Sequence, residues 1–179
     1  MSSFKHNSFN LTFSLNCAII HLPFEKNHIF YKKGNENIKM FRRKYKRAMP
    51  HIIEEVAPKS LLYNKKNPRG FLSCYRTLAF AFDGTNLLAI GENKNKTHPK
   101  YKEYADDNRL SIHAEIDMIL KLQRLNSIKK VTDILVIRGA ANFLNSFPCK
   151  YCYPNLQKHF NMVRLWFFKD GKWCMKVID

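Results

Sequence analysis

Two short segments constrain this chain more than anything else in it: His113-Ala114-Glu115 and, further on, Pro148-Cys149-Lys150-Tyr151-Cys152. Each stands where the residue pattern starts a helix. From Ser111 to Leu125 the residues Ile112, Ile116, Met118, Ile119 and Leu120 recur at the three-to-four spacing of one apolar helical face. Pro148 to His159 reads as a second, shorter helix. Pro154 is tolerated near its first turn, where an N–H has no intrahelical acceptor. Between the two, Val131 to Ile137 reads as a β-branched strand with Asp133 near its start. A fold that uses both segments has to bring two helix starts together across a strand.

The residue types say what such a meeting does. One imidazole and two thiolates are good ligands for Zn2+. Cys149 and Cys152, three apart, lie on one face of a first turn. The positive end of that helix favours thiolate over thiol. Three protein donors leave the fourth tetrahedral position to water, which distinguishes a catalytic zinc from a closed structural one. Water in that position is acidified toward a usable nucleophile. Glu115, two residues beyond His113, points away from the ligand and reads as the base beside the water. A closed site would need a fourth ligand from Cys74, Cys174, His98 or His159, and none of these has the spacing of a zinc finger or ribbon.

The remaining pattern places these segments in an α/β domain. Met49-Pro50 opens a helix whose stripe is Ile52, Ile53, Val56, Leu61 and Leu62, limited or kinked by Pro58. Leu72 to Phe82 and Leu87 to Ile90 read as strands joined by the turn Asp83-Gly84-Thr85-Asn86. Gly91 to Asn108 is a Lys-rich loop, and Asn142 to Phe147 is another. Met162 to Phe168 and Lys172 to Val177 make a closing hairpin over Asp170-Gly171. Strands alternating with helices argue for one sheet covered by helices. The domain runs from 49 to 179. Residues 1–48 form a basic extension in which Asn10 to Leu22 reads as a strand or hairpin and the rest as partly disordered chain.

Composition narrows the setting. Hydrophobic residues are 45% and charged residues 25% of the 179, which excludes a chain disordered throughout. No apolar run has the roughly 18 residues a spanning helix needs, so no membrane association is expected. Five cysteines is an odd number, and the sequence carries no export signal, so a reducing, cytoplasmic compartment is expected, with the nucleus also open. Lys and Arg number 31 against 14 Asp and Glu, a formal charge of +17. The densest run, Lys39 to Arg47, attracts phosphate through counterion release, as a nucleic-acid contact or as a solvated arm.

With its six typed positions, the pattern resembles the zinc-dependent cytidine deaminase-like superfamily, over roughly residues 49–179. The resemblance implies a three-layer α/β/α sandwich on a five-stranded mixed sheet, the last two strands forming an antiparallel hairpin. It implies one Zn2+ per chain, held by His113, Cys149 and Cys152. It implies hydrolytic deamination at C4 of cytosine or C6 of adenine, with Glu115 as proton carrier. It assigns substrate contacts to the backbone of Ala114 and Cys149, and to Asn93 in Gly91-Glu92-Asn93 as a ribose contact. Phe147 is a stacking candidate or a core residue, and Thr97 and His98 are within reach of a substrate phosphate.

The substrate class stays open between nucleoside, nucleotide and single-stranded nucleic acid. Histidine as first ligand resembles the branch acting on deoxycytidylate, nucleic acid and transfer RNA adenosine, while the Asp170-Gly171 hairpin resembles the free cytidine deaminases and some toxin-like and editing deaminases. The expected activity is conversion of a cytosine base to uracil with release of ammonia. The alternatives are an RNA adenosine deaminase and a catalytically silent, zinc-containing nucleic-acid-binding protein. Neighbouring subunits often complete the pocket in this superfamily, so a homo-oligomer is among the expected partners.

Overall fold

The alternation Leu78-Ala79-Phe80-Ala81-Phe82 organises the molecule. In a strand successive side chains go to opposite faces. Here every large residue of that run goes one way and every alanine the other. The computed structural model describes residues 12–14, 17–20, 41, 44, 45, 48–66, 76–94 and 112–179.

One mixed sheet runs through these residues in the order β1-β2-β8-β7-β5-β3-β4. Its strands are β1 (Thr12–Ser14), β2 (Cys17–Ile20), β3 (Thr77–Asp83), β4 (Asn86–Glu92), β5 (Asp133–Gly139), β7 (Val163–Lys169) and β8 (Lys172–Ile178), with the two-residue β6 (Phe143–Leu144) paired to β5. Only β5 and β7 pair in parallel among the described strands. Helix α1 (Met49–Lys66) covers one face, and α2 (Ala114–Arg124) with α3 (Cys152–His159) covers the other. The three-layer sandwich and its five strands β4-β3-β5-β7-β8 are therefore present, the last two antiparallel. Three strands are additional: β6, and the pair β1–β2, whose second strand joins β8.

Local chemistry explains most boundaries. The closing hairpin turns on Asp170 and Gly171, both with positive φ (50° and 78°), the two-residue geometry that matches strand twist. Pro58 does not end α1, which continues to Lys66. Pro58 and Glu54, whose carbonyl loses its donor, both lie on the exposed side where water replaces the bond. Helix α2 begins at Ala114, three residues later than the apolar stripe suggests, because Ile112 pairs with Lys94 in a two-bond bridge (2.9 and 2.8 Å) and His113 is extended at the N-cap. Strand β4 runs on to Glu92, into the stretch read as loop.

Cys149 stands one turn ahead of α3, which starts at Cys152 and not at Pro148; its carbonyl accepts the Tyr153 N–H at 3.0 Å. Pro154 is then in the first turn, where its missing N–H costs nothing.

Of residues 1–48, Phe41 and Tyr45 are buried against α1 and β3, with Phe41 edge-on to Phe80 at 5.1 Å and Tyr45 edge-on to Phe82 at 5.9 Å. Most of the basic run Lys39 to Arg47 lies outside the described residues, as do Leu72 to Cys74, Thr97 and His98.

Candidate metal centre

The site forms where β4, β5 and β7 all end. β3 is antiparallel to both β4 and β5, and β7 is parallel to β5, so these three strands deliver their C-terminal ends to one edge. Helix α2 starts there. Gly91 lets it approach: a Cβ at that position would stand 2.0 Å from the Ala114 carbonyl oxygen and 2.6 Å from the Met118 nitrogen. Asp117 ties the same corner. Its carboxylate accepts from the Glu92 N–H (3.1 Å), Lys94 Nζ (2.5 Å) and Lys121 Nζ (2.9 Å). Burial would raise the Asp117 carboxyl, but the hydrogen bonds from the two lysines and the Glu92 amide hold it below its ordinary 3.8.

The second segment arrives through a wedge. Beyond Val136, β5 leaves β7 and pairs instead with β6. Ser146 fills the resulting gap. Its hydroxyl donates to the Val136 carbonyl (2.7 Å) and accepts the Phe168 N–H (2.8 Å), while its own N–H donates to the Phe168 carbonyl (2.9 Å). These bonds set where Phe147, Pro148 and Cys149 leave the sheet.

The result is convergence. His113 Nδ1 is 3.4 Å from Cys149 Sγ and 3.4 Å from Cys152 Sγ, and the three donor atoms lie within 4.8 Å of one another. A tetrahedral Zn2+ with its usual Zn–S and Zn–N lengths separates S from N by ~3.6 Å, so both imidazole–sulfur distances are close to what that ion requires. Among the described residues no fourth His, Cys, Asp or Glu joins the group; Cys174 and His159 stay outside it. Glu115 is 5% exposed and close enough to Cys152 for each to shift the other's proton affinity, yet it is not one of the three converging donors.

The electrostatics are those of a site that expects positive charge. Cys149 is lowered to about 3 by a hydrogen bond from Cys152, against the opposing effect of burial, with help from His113 and the N–H groups of Cys152 and Tyr151. Cys152 moves the other way, because it gives that hydrogen bond, is buried, and faces Glu115. The pair thus shares one proton, and a divalent cation would stabilise both thiolates. Burial raises the Glu115 carboxyl, opposed by its own backbone N–H and by His113.

The substrate candidates are distributed around this centre. Ala114 is buried in the first turn of α2. Asn93 follows β4 directly; its Oδ1 accepts the Thr77 N–H at 3.0 Å, which extends the β3–β4 ladder by one side-chain bond. Phe147 is 38% exposed, with one edge against Phe167 (4.9 Å) and Tyr153 (5.2 Å), so it belongs partly to the core and partly to the surface. Gly91 as a packing residue, Asp117 and Ser146 are the contributors the sequence reading missed. Asp117 left one trace, a Lys at i+4. Ser146 left none.

No protein-family model matches the chain, and no curated protein matches its sequence. Solved structures do. The cytidine deaminase from Burkholderia pseudomallei is matched over 73% of this chain and 93% of its own, at a TM-score of 0.50 and 14% identity. The cytidine deaminase from Mycobacterium leprae is matched over 63% and 85%, at a TM-score of 0.42 and 20% identity. The chain has the fold seen in the first of these.

Proposed function

We propose that this chain is a zinc-dependent hydrolytic deaminase that replaces the exocyclic amino group of a cytosine base by oxygen, consuming water and releasing ammonia. One observation carries the reading: an imidazole nitrogen and two sulfurs converge at 3.4 Å, with a buried carboxyl beside them that is not one of the donors. His113, Cys149 and Cys152 would hold the ion, which supplies acidification of a bound water. Glu115 takes a proton from that water, passes it to the ring nitrogen of the base and then assists the leaving amine. Its burial supports the role, since a desolvated carboxyl holds a proton at higher pH than an exposed one.

The backbone N–H groups of Ala114 and Cys149 face the base, and Asn93 takes the sugar. Support for Asn93 is its position beside Lys94, whose bridge to Ile112 leads straight into His113. Phe147 offers an exposed ring face to the base. Free thiols at Cys149, Cys152 and Cys174 suit a reducing, intracellular setting. Among the described residues no helix is long and apolar enough to cross a membrane.

The test is a mass-spectrometric assay on the zinc-loaded full chain with cytosine and adenine substrates. Deamination appears as a gain of ~1 Da in the product. Glu115→Gln should keep about one Zn2+ per chain and lose roughly 100-fold or more of the rate. Product from adenine alone transfers the proposal to an adenosine deaminase. No product from either base, with zinc bound, leaves the silent binding protein.

A further inference from the structure

The cations of this protein are not treated alike. Lys59, Arg76, Lys94, Lys121 and Arg164 each meet a carboxylate, at distances between 2.5 and 2.9 Å. Lys150 and Lys176 meet none among the described residues; each lies on a tyrosine ring instead. Lys150 Nζ is 5.0 Å from the centroid of Tyr151, and Lys176 Nζ is 4.8 Å from that of Tyr153. Tyr153 in turn leans on Phe147 at 5.2 Å.

Lys176, Tyr153 and Phe147 touch in series, while Lys150 rests on Tyr151 in the turn between the two cysteines, so both groups lie beside the metal centre. Lys150 and Tyr151 lie between Cys149 and Cys152, Phe147 stands two residues before Cys149, and Tyr153 is in the first turn of α3. Lys176 comes from β8, opposite Leu165, on the sheet face that α3 covers. The chain from 140 to 179 holds six Lys and Arg but only Asp170 and Asp179 as acids. Residues 147–153 with Lys176 therefore form an aromatic, positively charged strip whose two lysines meet no carboxylate among the described residues.

Resting on the deaminase reading above, we infer that this strip binds single-stranded polynucleotide, so that the substrate is a cytosine within a strand and not a free nucleoside or nucleotide. A free nucleotide brings one base and one phosphate group, fewer than three rings and two cations can engage. Rings and cations in two groups beside the centre match the needs of a strand, where bases stack on aromatic faces and phosphates meet lysines. A lysine resting on a ring is a cation held by a weak contact. It leaves that ring for a phosphate at little cost and uncovers the face on which a flanking base stacks.

The experiment uses the zinc-loaded full chain, fluorescein-labelled single-stranded DNA and RNA oligonucleotides, and free cytidine and cytidine monophosphate. Binding is measured by anisotropy across a salt series, and turnover by mass. The double variant Lys150→Gln, Lys176→Gln should weaken oligonucleotide binding at least tenfold and flatten the log–log salt slope by about 1.4, at ~0.7 per phosphate contact. Its turnover of free cytidine, which carries no phosphate for either lysine to meet, should match wild type. Tyr151→Ala should weaken binding roughly 5- to 100-fold, with Tyr151→Phe restoring it, because stacking needs the ring and not the hydroxyl. An unchanged slope and affinity in the double variant overturns the strip. A free nucleotide turned over as efficiently as the oligonucleotide overturns the substrate assignment. Strand binding that depends on both lysines, in a protein that deaminates no cytosine substrate, overturns the deaminase reading and leaves the binding strip standing.

Discussion

The two faces of the sheet are packed on different plans, and the difference explains where chemistry is found. The α1 face is built from rings: Phe41, Tyr45, Tyr63, Phe80, Phe82, Trp166 and Trp173. The face under α2 and α3 is built mostly from small and aliphatic residues, with Ala79, Ala81, Ala89 and Gly91 beneath α2 and buried rings only at Phe160 and Phe167 among the described residues. Rings fill the space between α1 and the sheet with apolar volume. Alanines and a glycine let α2 come close enough for His113 and Glu115 to share a corner with the ends of the strands. Buried charge follows the same division. On the ring face, Asp133 is fully buried at the start of β5, and its carboxylate is met by the Thr132 hydroxyl, the Arg164 guanidinium and the Trp166 indole N–H, each at 2.8 Å. That carboxylate is fully committed to structure. Glu115, on the small-residue face, is buried beside the cysteines with no cation paired to it among the described residues.

The comparison breaks most visibly if the ring face is hollowed. Phe80→Ala removes a fully buried ring from between Phe41 and Phe82 and should cost about 3–5 kcal/mol of unfolding free energy. Chemical denaturation measures it. Folded protein at low temperature should still bind about one Zn2+, since α2 does not touch that ring face.

Gly91→Ala is the converse. The added methyl meets backbone atoms of α2, which cannot rotate away, so the helix start must move. A loss of roughly 1–3 kcal/mol is expected. The discriminating readout is competition with a zinc chelator, in which affinity should fall further than the stability loss explains. Unchanged zinc affinity would mean that close packing of α2 does not set the ligand geometry.

The smallest effect is at Asp117. Asp117→Asn removes charge from the three bonds that join Glu92, Lys94 and Lys121. The loss should be about 1 kcal/mol, because both lysines are about a third exposed and water screens them. The sign with pH is set by the lowered carboxyl. The wild-type advantage should be complete above pH 3.8 and disappear as pH falls through the lower folded-state value. Denaturation curves for both proteins between neutral and acid pH test this, and a gap that persists in acid would assign the bonds to geometry and not charge.

Legibility followed the range of the interactions. The hairpin at Asp170-Gly171 was readable because two adjacent residues with positive φ are a local demand. The apolar stripe of α2 was readable because chain geometry alone decides which side chains share a face, and the alternation on β3 obeys the same rule although the segment reads only as a strand. The ligand types were readable for the same reason, two sulfurs three residues apart. The first residues of α2 and α3 were misjudged because in both places a distant segment intervenes: Lys94 holds Ile112 in a bridge, and the Ser146 wedge holds the stretch ahead of Cys149. Strand β6 was missed because two residues carry no periodicity, and they pair only where β5 has already turned from β7.

Residue types and short spacings thus carried the donor set, the closing turn and the large-and-small division of β3, all properties of a few consecutive bonds. Three things depended on packing: the meeting of His113 with two sulfurs more than thirty positions away, the burial of Glu115, and the fate of each lysine as ion-paired or resting on a ring. Distances between remote residues are not encoded in any local angle. They arise when sheet, helices and wedge close together, and the free energy of that closure belongs to all the contacts at once.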